Sequence, residues 1–156
     1  MTFSRRAFIA STAALALPLP ALAAPGPRWY DAGSGLAASG RDVVAYFNLS
    51  SRADGVMGSA EHMAVHKGIT FHFKDAANLA RFEADPDAYT PRFGGHCAFA
   101  MARGYFASGD PDAWTVHEGE LFLNVSKIIR TRWLISKRSE IANGKENWSG
   151  FYPGEA

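Results

Sequence analysis

The chain has 156 residues, with 16 basic and 15 acidic side chains, 47% apolar and 13% aromatic residues. This composition excludes a disordered or fibrous chain, and the length allows one domain with one modest core. The near-balance of charge leaves no overall basic excess to hold nucleic acid or an anionic membrane surface.

The first 24 residues, MTFSRRAFIASTAALALPLPALAA, read as an export signal. Ser4-Arg5-Arg6-Ala7-Phe8-Ile9 is a charged opening that matches a twin-arginine signal. An apolar run to Leu19 follows, then the small-x-small triplet Ala21-Leu22-Ala23, suited to cleavage before Ala24. The run is too short for a stable transmembrane span. The expected location is therefore the periplasm, with residues 1–23 removed and no membrane span in the mature protein. Cleavage removes Arg5 and Arg6 and no acidic residue, so 14 basic side chains face 15 acidic ones, a net charge of −1.

Residues 24–40 are rich in Gly, Pro, Ala and Ser and read as an extended lead-in; residues 41–149 form the domain, and 150–156 a tail. RDVVAYFNLS (41–50) is β-branched and aromatic, which predicts a strand. HMAVHKGITFHF (62–73) predicts a hairpin turning at Lys67-Gly68, with Ile69, Phe71 and Phe73 on one face and His72 on the other. KDAANLARFEADPDAY (74–89) predicts a helix capped by Asp75. Residues 90–106 predict a Pro-Gly turn and a short helix ending near Gly104. SGDPDAW (108–114) predicts a turn, and TVHEGELFLNVS (115–126) a second hairpin turning at Glu118-Gly119. Residues 127–148 predict an amphipathic helix with Ile128, Trp133 or Leu134, Ile141 and Trp148 on its apolar stripe, interrupted at Gly144. No internal repeat is visible. The fold class is α+β: a small single domain of antiparallel β-hairpins packed with helices.

Taken together, RDVVAYF, KGITFHFKDAANLARFEADPDAYTPRFGGHCAFA, DPDAW and ELFLNVSKIIRTRW resemble the YHS domain proteins, in particular their exported bacterial branch. The resemblance spans about residues 36–148. It implies a treble-clef-related α+β fold and, in some members, a link to metals, copper above all. The cysteines that the classical pattern places after the second strand are absent from FHFKDAANLARF. The classical metal site therefore does not carry over, whereas the Gly94-Gly95-x-Cys97-Ala98 element of the exported branch is present.

Cys97 is the single cysteine, so no intramolecular disulfide is possible. Buried packing, metal ligation and thiol chemistry are its three readings. For a metal, the candidate ligands are Cys97, His62 and His66; the two histidines, four apart, share a face on either a helix or a strand. Thiolate and imidazole suit a soft ion such as copper. His96 is a neighbour able to tune the thiol, and the methionines are core filler by default. The two Asp-Pro-Asp-Ala stretches (85–88 and 110–113) are turn signals, each followed by an aromatic that enters the core. No G-x-G-x-x-G, G-x-S-x-G or H-E-x-x-H motif is present. The expected activity is a binding module, holding a soft metal through Cys97 and nearby histidines; the alternative is a domain without metal that is structural or binds a partner.

Overall fold

A computed structural model describes residues 26–154. The twin-arginine segment lies outside the described residues. The described chain forms two small antiparallel sheets and five helices, an α+β domain as the patterning implies.

The first sheet pairs β1 (Ser59–His66) with β2 (Ile69–Phe73), and the second pairs β3 (Asp110–His117) with β4 (Glu120–Asn124). Each hairpin turns on two residues at positive φ, Lys67-Gly68 and Glu118-Gly119, the pattern of a type I′ turn. Each runs into a nine-residue helix: α1 (Ala76–Ala84) after the first, α4 (Lys127–Ile135) after the second. Asp75 accepts the Asn78 N–H at 2.8 Å and Ser126 accepts the Ile129 N–H at 3.2 Å, so both helices are capped by a side chain.

These two units superpose in sequence at a constant offset. Ser59, Met63, His66, Ile69 and Phe73 correspond to Asp110, Trp114, His117, Glu120 and Asn124, and both first strands carry a register shift at the same place. The helices begin and end at the same offset, Ala76 with Lys127 and Ala84 with Ile135. The sequence shows no repeat because few side chains are shared; the backbone plan is duplicated nonetheless. Ahead of each hairpin lies a 3-10 turn with three successive residues at positive φ, Ala38-Ser39-Gly40 in Ala37–Gly40 and Phe93-Gly94-Gly95 in Arg92–Gly95.

Several expected elements are corrected. Residues 41–50 are not a strand. Asp42, fully buried, accepts the Val44 and Ala45 N–H groups at 2.9 and 3.1 Å and curls the backbone into a 3-10 turn over Ala45–Asn48. Its second oxygen takes the Lys74 N–H at 2.9 Å and the Asn78 amide at 2.7 Å. Residues 108–114 are not only a turn: β3 begins at Asp110, and Pro111 is accommodated in the irregular stretch before Trp114. The helix predicted over 74–89 stops before Pro86, as that proline implies, because Asp85 leaves helical φ/ψ; the addition is α2 (Pro86–Tyr89), which starts afresh. The long helix of 127–148 breaks at Ser136, not Gly144, into α4 and α5 (Lys137–Phe151). Gly144 stays helical because the Phe93 ring packs against it; a Cβ there would sit 2.7 Å from that ring.

Two apolar clusters fill the domain. Val43, Tyr46, Ile69, Phe71, Phe73, Phe82, Trp114, Leu121 and Leu123 make the first. Phe93, Met101, Phe122, Trp133 and Trp148 make the second, with α3 (Ala98–Met101) and α5 as its cover. The second hairpin lies between them: Leu121 and Leu123 face one cluster, Phe122 the other. Trp114 enters the core, as its turn motif implies, and Tyr89 packs beside it at the first cluster's margin. Ile128, expected on the buried stripe of the last helix, is exposed instead, and of the two alternatives Trp133 and Leu134 it is Trp133 that is buried.

Candidate functional site

A cleft of about 320 Å³ lies where the lead-in crosses the first hairpin and the Thr90–Gly94 segment. The crossing is fixed by backbone bonds. The Trp29 indole N–H donates to Lys67 O at 2.9 Å, and the Tyr30 N–H donates to Gly94 O at 2.9 Å. Gly94 has φ +60°, and a Cβ there would lie 1.8 Å from Arg28 O. Only glycine permits this approach. Thr90 anchors the near wall, its hydroxyl donating to Pro86 O at 2.7 Å. Trp29, Pro91, Phe93 and Trp148 supply apolar surface, with the Phe93 and Trp148 rings 6.0 Å apart.

Among the described residues, the cations Arg28, Lys67 and Arg92 and the carboxylate of Asp87 line the cleft. Asp87 lies 2.6 Å from Lys67 Nζ and 3.0 Å from His66 Nε2. The Lys67 bond and then the His66 bond hold the Asp87 carboxyl below its ordinary range. Arg92 and Lys145 both bond Glu120, the latter at 2.9 Å. Burial works to raise the Glu120 pKa, yet these two cations keep it lowered. A lysine has three donors and an arginine five, so Lys67 and Arg92 each carry more donors than the one bonded to a carboxylate. Neither histidine nor cysteine lines the cleft. The arrangement can orient an anion against an apolar wall; it offers no nucleophile–base pair.

The expected metal ligands lie elsewhere. His62 and His66 do share the inward side of β1, alternating with the exposed Met63 and Val65. His66 is edge-on to Phe82, with ring centroids 5.9 Å apart, and is bonded to Asp87. Cys97 is 1% exposed and belongs to the other unit. Its N–H donates to Ala107 O at 3.0 Å, and its thiol lies 3.8 Å from Asn124 Oδ1, which also takes the Phe99 N–H at 3.3 Å. No group of three or more His, Cys, Asp or Glu side chains placed to hold a metal ion occurs among the described residues.

His96 is likewise enclosed, with Nε2 2.7 Å from Pro27 O and the ring edge-on to Phe106 at 5.0 Å. Burial pushes its pKa down, so it stands as a neutral donor tying the lead-in to the Gly94-Gly95 turn. Reading the sequence missed the cleft's residues. Arg28, Lys67 and Arg92 carry no motif, and 64 residues separate the first from the last. The paired glycines were the available signal, and they mark the close backbone crossing.

Comparison with known protein families, curated proteins and solved structures gave no match.

Proposed function

We propose that this chain is a binding module of the cell envelope, YHS-like and exported through its Ser-Arg-Arg-Ala-Phe-Ile signal, that takes a small organic anion with an aromatic or planar body. The observation that carries this reading is the cleft itself: Lys67 and Arg92 set beside the rings of Trp29, Phe93 and Trp148. Its volume, about 320 Å³, lies at the small end of ligand sites, which suits a single-ring compound. The anion would meet Lys67 and Arg92, and the ring would lie along the aromatic wall.

The test is calorimetric titration of the mature protein with phenyl phosphate and benzoate, with benzyl alcohol as the neutral control. Anion binding that falls about tenfold in Lys67→Gln or Arg92→Gln supports the reading. Equal binding of the neutral compound, or no effect of either variant, overturns it.

The soft-metal reading through Cys97, His62 and His66 draws on the shared face of the two histidines. It requires the Cys97 thiol to leave Asn124 and His66 to leave Asp87. Anaerobic Cu(I) titration decides it: tight binding lost in Cys97→Ala carries copper ligation, and binding equal in that variant ends it.

A further inference from the structure

The segment Val125–Ser139 contains five basic residues and no acidic one. It covers α4 and the break at Ser136, on the side of the molecule built by the second unit. Two isoleucines stand on one face of α4, seven residues apart: Ile128 is 72% exposed and Ile135 82% exposed. Leu134 and Val125 are also partly exposed in this segment. Single exposed apolar residues need no explanation, but two isoleucines aligned on one helix face are a surface feature.

The cations sort by their partners. Lys127 is paired with Asp54 at 2.7 Å, and Arg130 is turned inward to Thr115 at 2.9 Å. Arg132, Lys137 and Arg138 form no ion pair with any described residue. The nearest acidic residue along α5, Glu140, is already engaged by Arg103 at 2.8 Å. Lys137 and Arg138 also occupy the first turn of α5, where the helix dipole disfavours positive charge. Neither helix stability nor a local carboxylate accounts for them. A shallow groove lined by Leu134–Ser139 runs between the apolar and the basic residues.

We infer that this edge docks the protein on an anionic lipid surface. The isoleucines enter the interface between headgroups and acyl chains, and Arg132, Lys137 and Arg138 meet the phosphates. Charge complementarity selects the partner: the apolar residues need a low-polarity layer and the unpaired cations need a dense anionic one, and a phospholipid surface provides both at the required depth. The near-neutral net charge of the chain does not oppose this, because attraction is set within a Debye length of the patch. The site is separate from the cleft at the lead-in.

The experiment is co-sedimentation of the mature protein with vesicles of phosphatidylcholine containing roughly 30 mol% phosphatidylglycerol, beside vesicles of phosphatidylcholine alone. Binding to the anionic vesicles, weakened by salt, is expected. Arg132→Gln, Lys137→Gln and Arg138→Gln should each lower partitioning about fivefold, and Ile128→Ser with Ile135→Ser about tenfold or more. All five positions are surface residues, so circular dichroism and thermal melting should match the parent protein. Absence of binding to the anionic vesicles overturns the inference. So does binding that the five substitutions leave unchanged, or binding to heparin and nucleic acid with none to vesicles.

Discussion

Phe71 and Phe122 hold the same place in two copies of one backbone plan, and each packs on the aromatic at the same position of the following helix. The Phe71–Phe82 centroids are 4.7 Å apart and the Phe122–Trp133 centroids 5.4 Å. The strands that carry them nonetheless read differently. β2 alternates, burying Ile69, Phe71 and Phe73 and leaving Thr70 and His72 half-covered. β4 buries Leu121, Phe122, Leu123 and Asn124 in succession. The first hairpin has one covered face; the second has two, because it lies between both apolar clusters. An identical hairpin can thus serve as an outer layer or as the central one, and the side-chain period reports which. The cleft lies at the turn of the outer hairpin, where Lys67 lines it.

This comparison can be tested by substituting equivalent positions. Asp42 and Cys97 are each the second residue after the 3-10 turn of their unit. Asp42→Ala strips the acceptor from four donors and should cost about 4 kcal/mol. Cys97→Ala gives up only a thiol contact and should cost about 1 kcal/mol. Urea unfolding of the two variants measures both, and equal losses would show that the two positions carry the same weight in their units, against the difference expected here. Next, Leu123→Ala, inside the sandwiched hairpin, should cost about 3 kcal/mol, whereas His72→Ala at the matching position of the outer hairpin should stay within about 0.5 kcal/mol. A costly His72→Ala would mean that the outer face of the first hairpin is covered in solution.

The smallest effect concerns pH. Burial depresses the pKa of His96 below its ordinary 6.5. The unfolded chain then binds the proton more readily, so this contribution to stability is complete above pH 6.5 and is lost as the pH falls from there through the depressed folded-state value. Melting temperatures from pH 8 to pH 5 should fall less steeply in His96→Gln than in the parent. Parallel curves would show that the ring is not sealed beneath the lead-in. Asp87, whose pKa is lowered by Lys67 and His66, adds its own loss only at more acidic pH.

Much of the architecture was legible in the chain. The alternation of Ile69, Phe71 and Phe73, the Lys67-Gly68 and Glu118-Gly119 turns, and the Asp75 cap are local, and local chemistry settles them. The α+β class follows from the same patterns. Elements failed where a side chain competed with the backbone's own preference, as Asp42 does in turning an apparent strand into a 3-10 turn. Periodicity alone also mistook Ile128 for a core residue and left Trp133 and Leu134 as alternatives, of which α4 buries Trp133.

The duplicated plan, the cleft and the exposed edge were decided by tertiary structure. A repeat conserved in backbone geometry but not in side chains leaves no trace in composition. Arg28, Lys67 and Arg92 share a cleft only because Gly94 lets the lead-in pass against it. The lone cysteine drew attention by its rarity, yet its fate depends on what encloses it. Local propensity acts between residues a few positions apart, whereas a site is an agreement among segments distant along the chain, and that agreement exists only once the core has brought them together.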